Sequence, residues 1–393
     1  MRPCACSGLG SWPNRPRKPP LKPPTSAAPR SAPSTDPNGS APITSRRTGS
    51  PTTAPGTRPT TSTRCSAETS TPSSAPAAKR TRPHAWTHWE TELDTVTPAR
   101  VSDVLRGGIA LFSEAGIATP EADAVELLAH AWHIDRTVLS RRRLFDDIVP
   151  AETTAEFARL CELRRQRIPL QHLTGIAHFR HLELRVGPGV FVPRPETELL
   201  AGAVLAELAE LSGERPPFVI DLCSGSGAIT LSVATEHNGA VVIGVEREAD
   251  ALDWARTNLD HTRLGDSSVE FVHADATTLT HGRPELLGRA DVVVTNPPYV
   301  PNAAIPRDPE VAGHDPAAAL YGGEDGLETP ELIIAQALQL LRPGGLFLME
   351  HSEEQGPGVR ELLATTASLT AAVTHQDYTG RDRYTVARRQ TEE

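Results

Sequence analysis

Residues 217–230 read Pro-Phe-Val-Ile-Asp-Leu-Cys-Ser-Gly-Ser-Gly-Ala-Ile-Thr, and this stretch decides the fold. Its apolar run predicts a buried strand at 218–222, and the residues from Ala228 onward predict the start of a helix. Between them, Gly225 and Gly227 predict a tight loop whose backbone can approach a bound ligand, because glycine has no Cβ atom in the way. A strand, a glycine-rich loop and a helix in this order are typical of an α/β sheet that binds a ligand at its carboxyl edge.

The chain that follows this stretch repeats strand-like apolar runs with helical stretches between them. This alternation predicts βαβ units, and therefore a mainly parallel sheet with helices on both faces. The last two strand-like pieces, at 371–375 and 384–387, lie too close together for a helical crossover and should form an antiparallel hairpin at the sheet edge. The other runs are 240–245, 269–272, 291–294 and 346–349.

The chain that precedes the stretch has a different pattern. Apolar residues recur at spacings of three and four between positions 95 and 168, which predicts a small bundle of about four helices. Alternating runs at 178–186 and 190–192, separated by Gly187-Pro188-Gly189, predict a β-hairpin. This hairpin would connect the bundle to the α/β sheet.

Composition divides the chain into two unlike parts. Residues 1–85 hold 13 lysines and arginines against two acids, and 17 of the 36 prolines. The rest of the chain holds 26 basic against 47 acidic side chains, so the net charge of −10 is the sum of +11 and −21. Residues 1–92 contain few large apolar side chains and are predicted to form a disordered tail. Three origins stay open for it: an organellar transit peptide, a basic interaction arm, or sequence upstream of a true start at Val96 or Val101.

The remaining composition limits the classes of function. An acidic body would repel a nucleic-acid backbone, whose binding depends on Lys and Arg contacts to phosphates, so we expect no direct nucleic-acid partner. The five cysteines include no Cys-x-x-Cys pair and predict neither a disulfide framework nor a metal site. No run approaches the roughly 20 apolar residues of a membrane span, and the N-terminus lacks the apolar core of a secretory signal. We therefore expect a cytoplasmic protein, and a monomer.

Two carboxylates follow the next two predicted strands. Glu246 ends the second strand, 19 residues after Gly227, where an acid can accept hydrogen bonds from both ribose hydroxyls of an adenosine. Asp275 ends the third strand and could accept from the adenine amino group, or could serve only as a helix N-cap. Thr230 stands where a dinucleotide-binding loop has its third glycine, which weakens a pyrophosphate-binding interpretation of this loop.

The fourth predicted strand ends in Asn296-Pro297-Pro298-Tyr299. The prolines remove two backbone donors and fix φ, so that carbonyl oxygens project into the cleft at the carboxyl edge of the sheet. Asn296 adds a side-chain carbonyl and Tyr299 adds an aromatic face. Two acceptors and a ring together can hold a planar NH₂ group.

With these motifs the chain resembles the class I S-adenosylmethionine-dependent methyltransferases. The specific resemblance is to the HemK/PrmC family of protein-(glutamine-N5) methyltransferases, which modify the Gly-Gly-Gln motif of peptide chain release factors. It covers residues 95–390. The segment Val192-Pro-Arg-Pro-Glu-Thr-Glu198 discriminates best, because the related ribosomal-protein glutamine methyltransferases differ there. Further matches are Pro169-Leu-Gln-His-Leu-Thr-Gly175 and Gly380-Arg-Asp-Arg383.

The resemblance implies a domain organisation. A helical substrate-recognition domain would occupy residues 93–172, and a β-hairpin linker would occupy 173–192. The S-adenosylmethionine-dependent methyltransferase domain, with a Rossmann-like sheet, would occupy 193–393.

The resemblance also implies the site residues. Glu246 would bind the ribose of S-adenosylmethionine, Asp275 with Ala276 the adenine edge, and the 221–227 loop the methionine part. Asn296 and Pro297 would be catalytic, because their carbonyl oxygens would orient the glutamine NH₂ toward the methyl group. The glutamine side chain would be bound by Asn296, Pro297, Pro298 and Tyr299. The cofactor would be bound by Asp221, Cys223, Ser224, Gly225, Ser226, Gly227, Glu246, Asp275, Ala276 and Asn296.

Four alternatives stay open. The first two are a ribosomal-protein glutamine methyltransferase and a nucleic-acid adenine-N6 methyltransferase, whose flipped base presents a similar amino group. The acidic body argues against the second of these. A nicotinamide-dependent oxidoreductase on a similar sheet is disfavoured by Thr230 and by the Asn-Pro-Pro-Tyr turn. A non-catalytic nucleoside-binding module is disfavoured by the same turn.

Overall fold

A computed structural model describes residues 99–391, except Ser212, Glu214 and Ala367. The tail predicted at 1–92 lies outside these residues. Among the helices within the described ranges, none combines the length and the apolar content that a membrane crossing requires.

The described part of the chain opens with a bundle of helices. Apolar side chains spaced three and four apart pack into one core, including the buried Leu105, Phe112, Leu127 and Phe157. The four predicted helices are present, and a fifth, short helix follows them between Pro169 and Gly175. The helices are α1 Val101–Glu114, α2 Pro120–Ala131, α3 Arg136–Phe145, α4 Ala151–Arg165 and α5 Leu170–Thr174.

The β-hairpin lies earlier in the chain than predicted. Its strands are β1 Ile176–Phe179 and β2 Leu182–Arg185, which pair antiparallel. The turn between them is Arg180-His181, inside the run that was expected to form the first strand alone. Arg180 has a left-handed φ of 52°. Since the glycines and asparagines that usually signal such a turn are absent from it, the sequence pattern did not reveal its position.

The glycines predicted to form the hairpin turn have a different role. Residues 190–192, predicted as the second strand, lie outside any strand. A Cβ atom on Gly187 would lie 2.7 Å from the ring of Trp254, and one on Gly189 would lie 2.8 Å from the Cβ of Asp250. Glycine is required at both positions because the chain passes close to the helix that carries Trp254.

Within the described residues the central sheet has seven strands: β3 Phe218–Leu222, β4 Val241–Glu246, β5 Ser268–His273, β6 Ala290–Thr295, β7 Leu341–Glu350, β8 Val373–Gln376 and β9 Asp382–Arg388. Their order across the sheet is β5-β4-β3-β6-β7-β9-β8. The first five pair in parallel, while β9 runs antiparallel to β7 and β8 antiparallel to β9. This confirms the prediction of a mostly parallel sheet with an antiparallel edge hairpin.

Helices cover both faces of the sheet. Val219 of β3 packs into one apolar cluster and its neighbour Ile220 into the other, so every residue of this strand is buried. Continuous apolar strands are expected where both faces of a parallel sheet are covered. The longer helices are α6 Thr197–Glu210, α7 Ala228–Glu236, α8 Ala249–Asp260, α12 Glu328–Leu340 and α13 Gly356–Ala364, and the short ones are α9 Leu279–Gly282, α10 Pro309–His314 and α11 Ala317–Leu320.

Buried ion pairs join the helical bundle to the segment that follows β6. Arg164 of α4 donates to Asp123 at 2.8 Å and to Glu310 of α10 at 2.6 Å, and all three side chains are almost fully buried. Arg167 donates to the second carboxylate oxygen of Glu310 at 2.6 Å. The bundle therefore fixes α10, which lies beside the cavity described next.

Candidate active site

A cavity of about 540 Å³ opens at the carboxyl ends of β3, β4 and β6. Ligands of open α/β sheets bind at this edge, in cavities of this size. Most of the predicted site residues line it, whereas Asp221 and Gly227 do not. Those that line it are Cys223, Ser224, Gly225, Ser226, Glu246, Asp275, Ala276, Asn296, Pro297, Pro298 and Tyr299.

Asp221 is fully buried and supports the glycine-rich loop from behind. Its Oδ2 accepts hydrogen bonds from the Thr230 hydroxyl at 2.7 Å and from the Thr230 backbone N–H at 3.1 Å. Burial raises the pKa of Asp221 to about 7, against the opposing effect of these hydrogen bonds. Thr230 stands at the third-glycine position of a dinucleotide-binding loop. Its hydrogen bonds to Asp221 therefore link the start of α7 to β3.

Glu246 lies at the rim of the cavity and holds the glycine-rich loop. One carboxylate oxygen accepts from the backbone N–H of Gly225 at 2.8 Å, and the other accepts from the N–H groups of Arg247 and Glu248, each at 2.8 Å. Gly225 has a φ of 55°, and a Cβ atom there would meet nothing within 4 Å. The loop therefore presents bare backbone to open space, directly beside a carboxylate.

Asp275 closes a turn after β5. Its Oδ1 accepts from the backbone N–H of Thr277 at 2.8 Å and from the Thr277 hydroxyl at 2.7 Å. Since α9 begins at Leu279 with Thr278 at its N-cap position, Asp275 is not the N-cap of this helix. Ala276 beside it is buried in the apolar cluster under the cavity.

The Asn296-Pro297-Pro298-Tyr299 turn follows β6 and is held from outside the cavity. Gln355 donates to the Tyr299 carbonyl at 2.9 Å. A Cβ atom on Gly322 would lie 2.4 Å from the Pro298 carbonyl oxygen, so this glycine allows the turn to pack against a second backbone segment. The half-buried Tyr299 ring lies in the cavity wall, and desolvation raises the pKa of its phenol.

The amide of Asn296 has a defined orientation. Its Nδ2 donates to the Thr197 hydroxyl oxygen at 3.3 Å, and that hydroxyl donates to Glu350 at 2.7 Å. Among the described residues, neither the Asn296 side-chain carbonyl nor the Pro297 backbone carbonyl accepts a hydrogen bond. Two acceptor oxygens on one rigid turn are thus available to a ligand.

Comparisons with known proteins agree with this arrangement. Residues 103–175 match the family model described as the PrmC N-terminal domain, and residues 218–390 match a model described as a methyltransferase domain. A release factor glutamine methyltransferase of Bifidobacterium longum is 43% identical over 293 residues, which cover 73% of this chain and 99% of that protein. One of Mycolicibacterium smegmatis is 42% identical and covers 74% of this chain and 98% of that protein.

This chain belongs to the release factor glutamine methyltransferase family. The resemblance predicted from the motifs is confirmed. Family membership favours a methyltransferase over the oxidoreductase and the binding module. The predicted domain boundaries and the roles of individual residues stay predictions.

In this family member, residues 193–197 of the segment 192–198 line the cavity. Arg194 donates to the buried Asp315 at 2.7 Å, and its guanidinium lies 4.9 Å from the centre of the Phe191 ring. Thr197 opens α6 and contacts the Asn296 amide. Pro193, Pro195 and Glu196 line the cavity between them.

Reasoning from motifs missed several residues of this cavity, among them Glu350 and Arg383. Glu350 ends β7 and lines the cavity although it is buried, and Arg383 of β9 lines it from the edge hairpin. The signal for Glu350 was present, since it follows the apolar run 346–349 just as Glu246 follows its own strand. For Arg383 the sequence offers only its place in the Gly380-Arg-Asp-Arg383 motif, because its approach to the cavity depends on how β9 pairs with β7.

Proposed function

We propose that this enzyme transfers a methyl group from S-adenosylmethionine to the side-chain amide nitrogen, N5, of the glutamine in the Gly-Gly-Gln motif of peptide chain release factors. The observation that carries the chemistry is the pair of unpartnered carbonyl oxygens on the Asn296-Pro297 turn, which suits a primary amide with two N–H groups. Family membership supports the choice of the release factor as the protein substrate.

The residues of the cavity fit the cofactor. Glu246 can accept hydrogen bonds from ribose hydroxyls, and the bare backbone at Gly225 leaves room for a close approach. Asp275 and Ala276 would hold the adenine edge, and the 223–226 loop the methionine part. When bound, S-adenosylmethionine supplies an electrophilic methyl group on a sulfonium.

The chain's own contribution to the reaction is orientation. An amide nitrogen is a poor nucleophile, because its lone pair is delocalised into the carbonyl. Acceptance of its two N–H groups by Asn296 and Pro297 would turn the lone pair toward the methyl group and stabilise the positive charge that grows on nitrogen. Good positioning of this kind can lower a barrier by about 7–11 kcal/mol. A bond would form between the amide nitrogen and the methyl carbon as the bond between that carbon and the sulfonium sulfur breaks, leaving a neutral thioether, and the nitrogen would lose one proton to solvent.

The helical bundle is the proposed docking surface for the release factor. It is held against α10 by Arg164 and Arg167, so it lies beside the cavity that must receive the glutamine. We further propose that the enzyme acts in the cytoplasm as a monomer and needs no direct contact with nucleic acid. The excess of acidic side chains outside the first 85 residues supports the last point.

The test uses labelled S-adenosylmethionine and a release factor, either wild type or with its Gly-Gly-Gln glutamine replaced. We expect label on the wild-type factor alone. Label that persists on the replaced factor would refute the substrate assignment, and label on ribosomal protein or DNA in its place would favour the alternatives. Asn296→Ala should abolish methylation and leave cofactor binding, measured by calorimetry, nearly intact.

A further inference from the structure

A chain of three polar side chains leads from the cavity into the protein interior. Asn296 Nδ2 donates to Thr197 Oγ1 at 3.3 Å, and Thr197 Oγ1 donates to Glu350 Oε2 at 2.7 Å. Thr197 and Glu350 are 5% and 2% exposed. The three residues come from the end of β6, the start of α6 and the end of β7, so only the folded sheet brings them together.

The Thr197 hydroxyl can determine the orientation of the Asn296 amide because it has a single proton. A carboxylate can only accept, so the proton of Thr197 must point at Glu350. The side of the hydroxyl that faces Asn296 then presents a lone pair, which an NH₂ group can use and a carbonyl oxygen cannot. The Asn296 amide is thereby held with its NH₂ turned inward and its carbonyl free for the cavity.

We propose that Thr197 and Glu350 are positioning residues, which fix the Asn296 amide with its carbonyl oxygen toward the substrate nitrogen. This proposal rests on the proposed function. With the amide flipped, an NH₂ group would face the NH₂ of the glutamine, and neither could accept from the other. The hydrogen bond between Thr197 and Glu350 would therefore determine whether the Asn296 carbonyl oxygen faces the substrate.

The surroundings of Glu350 are consistent with this role. A buried carboxylate is costly unless charges and hydrogen bonds compensate it. Arg383 of β9 supplies the compensating charge, while Glu196 and the Tyr299 phenol face Glu350 from the other packed elements. Burial raises the pKa of Glu350 to about 7, against the opposing effects of Thr197 and Arg383. In this proposal Glu350 acts on the Asn296 amide through Thr197, so it is a positioning residue and not a catalytic one.

The test compares Thr197→Val, which keeps the shape and removes the hydroxyl, with Thr197→Ser, which keeps the hydroxyl. In Thr197→Val the inward NH₂ of Asn296 loses its acceptor, so the orientation of the amide with its carbonyl toward the cavity is no longer favoured. We expect kcat for release-factor methylation to fall by about tenfold or more, while KM for S-adenosylmethionine stays near the wild-type value. Thr197→Ser should restore most of the lost kcat.

Two further variants sharpen the test. Thr280→Val removes another buried threonine hydroxyl, one that contacts Gln336 away from the cavity, and should leave kcat unchanged. Glu350→Gln can donate to Thr197 as well as accept, so it should lower kcat without changing cofactor KM. If Thr197→Val does not fold by circular dichroism, Glu350→Gln alone decides the matter.

The outcomes separate this inference from the proposed function. If the wild-type enzyme methylates the release factor and both Thr197→Val and Glu350→Gln keep its kcat, the positioning role is overturned. The same holds if only cofactor KM changes, because that would indicate a general structural effect. If the wild-type enzyme leaves the Gly-Gly-Gln glutamine unmodified, the proposed function fails, and the positioning role, which rests on it, is withdrawn with it.

Discussion

The buried contact between the bundle and α10 can be tested by the substitution Glu310→Gln. Burial alone would raise the pKa of Glu310, but hydrogen bonds with Asp308, Arg164 and Arg167 outweigh it and lower the pKa from 4.5 to about 2. The charged form of Glu310 therefore stabilises the folded state. Removal of one partner of a buried ion pair costs roughly 3–5 kcal/mol, and this is the loss of unfolding free energy that we expect for Glu310→Gln.

The direction of the pKa shift determines how the stabilisation by Glu310 changes with pH. Because the pKa is lowered on folding, the contribution of Glu310 is fully present above the unfolded pKa near 4.5 and is lost as the pH falls toward 2. The gap in unfolding free energy between wild type and Glu310→Gln should therefore be constant from pH 8 to pH 6. It should begin to close below about pH 4.5.

Glu162→Gln is a matched control for this substitution. Glu162 pairs with Arg165 on α4 at 2.6 Å, the same distance as the contact between Arg164 and Glu310, but its side chain is 38% exposed. Exposed pairs contribute about 0–1 kcal/mol, so this variant should unfold close to wild type.

The assay is urea unfolding followed by circular dichroism, with release-factor methylation measured on the same samples. We expect Glu310→Gln to lower the unfolding midpoint and to raise KM for the release factor, because α10 loses its anchor to the proposed docking surface. Equal midpoints for Glu310→Gln and Glu162→Gln would refute the reasoning, since burial would then have made no difference.

Three further predictions concern the cavity. Glu246→Gln should weaken S-adenosylmethionine binding by about 1–3 kcal/mol in calorimetry, because a charged acceptor is lost; an unchanged Kd would contradict its role. Gly227→Ala should lower Tm more than Gly225→Ala, since the Cβ atom at 227 would lie 2.7 Å from Phe271 and the one at 225 would meet nothing; equal Tm values would argue against this packing. Burial raises the pKa of Glu350 to about 7, and the charged form is the one that fixes Asn296. The kcat should therefore fall as the pH drops through about 7, and a Glu350→Gln enzyme that keeps this inflection would exclude Glu350 as its source.

The parts of the fold that follow from local pattern were predictable. Strands β3 and β6 are continuous apolar runs because both of their faces are buried, and their boundaries agree with the sequence to within one residue. Because the apolar run of such a strand is continuous, its pattern does not show toward which face of the sheet a polar residue points. Asp221 lies in β3 and turns toward Thr230 behind the loop, away from the cavity. No alternation of polar and apolar residues marks that direction.

Features that depend on distant partners could not be read from the sequence. The turn at Arg180 has no glycine, whereas Gly187 and Gly189 resemble a turn but are required by the approach of α8. Glu310 lies 146 residues from Arg164, and neither residue stands in a motif. Such contacts are set by how the bundle packs on the sheet, which the local pattern does not encode.

The segment 192–198 shows why one short motif can be so diagnostic. Arg194 binds Asp315 after α10, Thr197 binds Glu350 at the end of β7, and Glu198 accepts from the backbone N–H of Arg180 in the hairpin turn at 3.1 Å. The three side chains thus contact three separate elements, while Pro193 and Pro195 line the cavity. A substitution at one of these positions would disturb a different element from a substitution at the next. The motif therefore holds the linker, the α10 segment and the Asn296 acceptor in one arrangement, which is the geometric condition for a protein-bound glutamine to meet the cofactor.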